Sequence, residues 1–94
     1  MLINGRSVLD KAMKKFANAR KPLAAWIKTV GNGRWSDIVE MRGELQTADL
    51  IRGTPYTCFD IGGNNFRLIT IVNYQVQIIA VKEFITHAEY NRKY

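Results

Sequence analysis

The sequence predicts an α+β fold: N-terminal helices packed on a small, mainly antiparallel sheet, closed by a short C-terminal helix. Three observations predict it. Apolar residues recur at helical spacing before Gly43, and from Leu45 onward the pattern turns to alternation and β-branching. At the end, Thr86-His87-Ala88-Glu89 has the S/T-x-x-E form that begins a helix.

Taken in order, Ser7 is a candidate N-cap for a first helix in which Leu9, Ala12, Met13 and Phe16 share one face and Lys11, Lys14 and Lys15 lie mostly away from it. Pro22 suits the first turn of a second helix, carrying Leu23, Trp26, Ile27 and Val30 until Gly31-Asn32-Gly33 stops it. The two helices are expected to pair antiparallel, with Trp26 and Trp35 in the core. Asp37 with Glu40 signals a short third helix bearing Ile38, Val39 and Met41 and ended by Gly43. Strands are then expected over Ala48–Ile51, Tyr56–Ile61, Phe66–Val72 and Val76–Ile85, with turns at Arg52-Gly53-Thr54-Pro55 and Gly62-Gly63-Asn64. The expected order is helices first and sheet second.

A chain of 94 residues fits one domain, 1–94, with a modest core. At 47% hydrophobic and 23% charged it is too apolar for a disordered tail. Fourteen Lys and Arg against eight Asp and Glu give a formal net charge of +6, which favours a polyanion, nucleic acid above all, as partner. The single Cys58 excludes an intrachain disulfide and suits a small buried hydrophobe. No apolar run approaches the ~18 residues of a membrane span, and Met1-Leu2-Ile3-Asn4-Gly5-Arg6 lacks a signal-peptide layout, so a cytoplasmic protein without a membrane partner is expected. One histidine, one cysteine and scattered carboxylates give no zinc-like spacing, and Gly62-Gly63 is too short for a nucleotide loop, so neither metal nor cofactor is expected. Glu40 and Glu44 read as a solvated helix face.

Chemistry concentrates in the C-terminal third, where Arg67, Lys82, His87 and Tyr90 can all act on phosphate, as in a small nuclease. With Tyr74 and Gln75 as the two central residues of the hairpin turn, Arg67 lies directly opposite Lys82, and two facing cations make sense as a phosphate clamp. A slip of one residue would remove that pairing. Arg67 has the planar fork for two phosphate oxygens, against the alternative of a solvated or salt-bridged arginine. Histidine titrates near ~6.5 when unperturbed, which suits His87 to proton transfer or, alternatively, to anchoring the last helix. Tyr90 can bond substrate, stack a base, or simply pack.

The chain resembles HigB-type toxins of the RelE superfamily. The resemblance runs from Leu9 through Pro22-Leu23-Ala24-Ala25-Trp26, Trp35 and Ala48-Asp49 to Gly63-Asn64-Asn65-Phe66-Arg67-Leu68-Ile69, Val72-Asn73-Tyr74 and Thr86-His87-Ala88-Glu89-Tyr90. It implies a RelE-like fold and a bacterial type II toxin that cuts mRNA on the translating ribosome. It also implies a silencing helix-turn-helix antitoxin of the HigA type, through which alone the toxin meets its DNA operator. Such a nuclease needs only a base for the 2′-hydroxyl, cations for the phosphate and an acid for the 5′-oxygen, and leaves a 2′,3′-cyclic or 3′-phosphate and a 5′-hydroxyl.

On this resemblance Arg67, Lys82, His87 and Tyr90 are the expected catalytic set, with Lys82 where relatives commonly carry arginine. Departures are visible. Cys58, Phe59 and Asp60 stand where relatives outside this branch often carry lysines, and Gly62 where many HigB-type chains have one. The burden shifts to His87 and to cations elsewhere, such as Lys28, Arg34, Arg42 and Arg52; Lys28, Arg34, Arg52 and Asn64 are the expected RNA-binding residues. The competing readings are a ParE-like gyrase-inhibiting toxin without nuclease activity and a basic nucleic-acid-binding module.

Overall fold

A computed structural model describes all 94 residues. The elements are β1 (Leu2–Asn4), α1 (Arg6–Lys15), α2 (Arg20–Asn32), α3 (Ile38–Arg42), β2 (Asp49–Leu50), β3 (Thr57–Ile61), β4 (Phe66–Asn73), β5 (Ile78–Thr86) and α4 (His87–Lys93). A 3₁₀ turn at Ala17–Ala19 joins α1 to α2. The α+β class is as expected, and the five-stranded sheet runs β1-β5-β4-β3-β2, antiparallel throughout except for parallel β1 and β5. No helix is long and apolar enough to cross a membrane.

Two expectations at the N-terminus are corrected. The sheet begins before the helices, because Leu2-Ile3-Asn4 pairs with Ile78-Ile79-Ala80. The first helix is not capped by Ser7: it starts at Arg6 behind Gly5, whose φ of 86° turns the chain directly from β1 into α1. A side chain there would also meet the Val81 carbonyl, since a Cβ on Gly5 would lie 2.6 Å from that oxygen. The other helix signals hold. Pro22 lies in the first turn of α2 and Gly33 ends it; the Asp37 carboxylate accepts the Glu40 backbone N–H at 2.9 Å, and Gly43 closes α3.

Alternation along the strands sorts side chains to two faces. Phe59, Ile61, Phe66, Leu68, Ile79 and Val81 point inward, where they meet Leu9, Ala12, Leu23, Trp26 and Val30 of α1 and α2. Phe59 sets its ring edge-on to Trp26 at 5.5 Å, and Trp35 is buried in the same cluster. The opposite face carries only a small second cluster, Ile51, Cys58, Ile69 and Ile85, against which Tyr56, Tyr90 and Tyr94 pack.

The β4–β5 hairpin differs from its expected register. Tyr74 and Gln75 are not a two-residue turn: Tyr74–Gln77 form a four-residue connection, with Asn73 paired to Ile78. The Asn73 side chain accepts the backbone N–H groups of Gln75 and Val76, and Gln77 adopts a φ of 58°, which together close the longer loop. Further along, Ile69 pairs with Glu83 but Thr70 with Val81, leaving Lys82 as the extra residue of a β-bulge. Arg67 therefore faces Ile85, not Lys82.

Candidate active site

Arg67 sits on the outer face of β4, directly across from Asp60 on β3. The residue is only 8% exposed, and its Nε lies 3.1 Å from the Asp60 carboxylate. Its Nη1 donates to the Asn64 carbonyl at 3.2 Å and the Phe66 carbonyl at 3.0 Å, while Nη2 donates to the Asn64 side-chain oxygen. The guanidinium is thus a fixed positive charge embedded in the β3–β4 turn, with three of its five N–H groups already hydrogen-bonded. That turn forms because Gly62 and Gly63 take φ of 66° and 68°, a conformation most side chains avoid.

The same turn holds His87. Its backbone N–H donates to the Asn65 carbonyl at 3.0 Å, and its Nδ1 lies 3.1 Å from the Asn64 carbonyl. A carbonyl only accepts, so Nδ1 carries the hydrogen and Nε2 of the neutral ring is left as an acceptor. Asn64 is therefore the joint between the two groups: its one carbonyl accepts from both Arg67 and His87. The helix that begins at His87 is set by a complete capping box, in which Thr86 accepts the Glu89 N–H and the Glu89 carboxylate accepts the Thr86 N–H. Those bonds hold the Glu89 carboxyl below its ordinary range, the backbone one first. One turn on, the Tyr90 ring centroid lies 5.6 Å from the Arg67 guanidinium.

Lys82 stands elsewhere. Its Nζ donates to the Tyr56 hydroxyl at 2.7 Å and lies 4.3 Å from that ring's centroid. This hydrogen bond raises the Lys82 pKa and keeps the group cationic. Between Lys82 and Arg67 runs a row of rings: Tyr56 meets Tyr94 edge-on at 6.2 Å, and Tyr94 meets Tyr90 at 5.4 Å. Tyr94 also donates its hydroxyl to Glu83 at 3.1 Å, a carboxylate that holds Lys93 at 2.9 Å.

Burial first, and then the charge of Asp60, pushes the Cys58 thiol up to about 11; burial followed by the Glu83 hydrogen bond pushes Tyr94 up to about 12. Tyr90 is raised as well, mainly by burial. These groups keep their protons near neutrality.

Of the residues expected from the sequence, Arg67, His87, Tyr90 and Asn64 come together. Arg52 lies exposed in the turn after β2, beside Ile51 of the outer cluster. Lys28 lines a shallow cavity with Met1, Ile3 and Arg6, and Arg34 is exposed in the loop after α2; neither is hydrogen-bonded or ion-paired to the Arg67 group. Arg42 is paired with Asp49 at 3.0 Å. Tyr56 and Tyr94 were missed. Both were in reach of simple periodicity, since Tyr56 alternates with Cys58 and Asp60, and Tyr94, which caps α4, follows Tyr90 by four.

Residues 19–93 match the family described as HigB_toxin, the RelE-like toxic component of a toxin–antitoxin system. The chain belongs to this family. The matched stretch spans α2 to α4, so it holds every member of the Asn64 junction, while β1 and α1 precede it. The mRNA interferase HigB of Escherichia coli O6:H1 is 26% identical to this HigB-family toxin over 93 residues, which is 98% of this chain and 90% of that protein.

Proposed function

We propose that this HigB-family toxin is an endoribonuclease that cuts mRNA on the translating ribosome. The observation that carries the reading is the Asn64 junction, which fixes a histidine with a free Nε2 acceptor beside a buried guanidinium. In this reading Nε2 of His87 takes the proton of the ribose 2′-hydroxyl, O2′ attacks phosphorus, and the bond to O5′ breaks. The products are a 2′,3′-cyclic phosphate and a 5′-hydroxyl, the latter protonated from water at this open surface. Arg67 supplies fixed charge to the phosphate as its negative charge grows, and direct contact uses the remaining N–H of Nη2 or the exchange of Asp60 for phosphate. Tyr90 stacks a neighbouring base. RNA brings its own nucleophile, so these steps need no metal.

The relative's name as an mRNA interferase supports the substrate class. Lys82, at the far end of the tyrosine row, serves the strand next to the cut phosphate, and Arg52 extends the basic rim. A helix-turn-helix antitoxin of the HigA type silences the toxin and carries the complex to its DNA operator. The test is purified protein with programmed ribosomes and end-labelled message, alone and with the product of the neighbouring gene. New 5′-hydroxyl ends that vanish with the neighbour are the expected result. An intact message would exclude the nuclease and direct attention to gyrase binding.

A further inference from the structure

The outer face carries more aromatic surface than proton transfer requires. Tyr56, Tyr90 and Tyr94 are each half-buried, and they lie in a continuous row with steps of 5.4 and 6.2 Å between ring centroids. A cation stands against each end, Arg67 at Tyr90 and Lys82 at Tyr56. Roofing the small cluster beneath would need only apolar side chains; it does not call for half-buried rings flanked by charge.

The electrostatics point the same way. The carboxylates around this face are already paired, Asp60 with Arg67, Glu83 with Lys93 and Asp49 with Arg42, whereas Lys82 and Arg52 have no carboxylate partner. Unpaired cations beside partly exposed rings match the two parts of single-stranded nucleic acid, since phosphates take the charge and every base offers a π-face. The bulge contributes directly: Lys82 is its extra residue, and its ammonium reaches the Tyr56 ring.

We propose that Tyr56 and Tyr94 form a base-stacking track for single-stranded RNA that continues from Tyr90, with Lys82 holding a phosphate at its far end. The track rests on the ribonuclease reading and specifies how the strand beside the cut is held. Tyr94 is held for this role by ring packing against Tyr56 and Tyr90, and Tyr56 by its bond to Lys82.

The test uses the full chain and a 2′-O-methyl RNA oligonucleotide, which lacks the attacking hydroxyl, carrying 2-aminopurine in place of adenine. At low salt, wild type binds and quenches the probe. Tyr56→Leu and Tyr94→Leu, which keep apolar cover, weaken binding about tenfold and restore fluorescence, whereas Tyr94→Phe retains both. Lys82→Gln lowers the salt dependence by about one phosphate contact. Equal affinity of the leucine variants, or loss in Tyr94→Phe matching that in Tyr94→Leu, would overturn the track. So would an unquenched probe with wild type, whatever the fate of the variants. Ribosome-programmed cleavage by wild type separates the two readings: intact cleavage with no quenching removes the track alone, and absent cleavage removes the nuclease.

Discussion

The two faces of the sheet are made by the same strands and do opposite work. The inner face is part of a cluster of 15 buried residues, all apolar, so most of the hydrophobic stabilisation lies there. The outer face buries a cluster of four, and its cover is half-buried tyrosines, an embedded arginine and a bulged lysine. Strand alternation thus puts the packed core on one face and the polar and charged groups of the candidate site on the other. Charged groups gather where the core beneath is thin, because there their unpaired atoms still reach water.

That division can be broken from either side. The largest effect on stability is expected on the inner face, where Phe59→Ala removes a ring that is 1% exposed and packed edge-on to Trp26. It should destabilise the fold by about 3–5 kcal/mol, read by chemical denaturation, a large part of the stability of so small a domain. On the outer face Arg67→Ala should lower cleavage by at least ~10²-fold and also loosen the β3–β4 turn, since Asn64 and Asp60 lose their partner. Cleavage at the wild-type rate would deny Arg67 its charge role.

His87→Gln sharpens the comparison, because an amide N–H can still meet the Asn64 carbonyl but no nitrogen remains to accept a proton. Its thermal midpoint should stay near wild type while cleavage falls about 10²-fold. Full activity at every pH would pass the role to another group. The smallest effect is at Cys58. Its thiol is raised to about 11, so it stays protonated and should resist iodoacetamide at neutral pH until the chain unfolds. The sign follows: a raised folded pKa means this contribution to stability is intact below the ordinary thiol range and is lost as pH climbs through about 11. Rapid alkylation of the folded protein would show that the outer cluster is open.

What was legible in the sequence is what depends on near neighbours. The Asp37 cap, the Thr86–Glu89 capping box and the Gly62-Gly63 turn each close within a few residues, and their chemistry is written in the side chains involved. The apolar faces of the first two helices, with Leu9 and Ala12 and with Leu23, Trp26 and Val30, followed from periodicity alone. β1 was not legible because three residues carry no pattern and their partner lies at the opposite end of the chain. The hairpin register escaped because it depends on the Asn73 side chain closing a loop and on Gln77 entering the left-handed region. Arg67, His87, Tyr90 and Asn64 were each singled out by type and place, but their common meeting point is a backbone carbonyl, which no residue letter announces. Lys82 does not face Arg67 because the four-residue loop shifts the register by two and the bulge by one more.

That one extra residue makes β5 read in two frames. Before it, Ile79 and Val81 face inward; after it, Phe84 faces inward and Ile85 outward. Without the shift of phase, continued alternation from Val81 would turn Glu83 toward Phe16 and Phe66, where Phe84 now packs, and swing Phe84 out into water. A strand that satisfies both layers thus does so by breaking its own rhythm once, and the residue at the break is the lysine that flanks the tyrosine row.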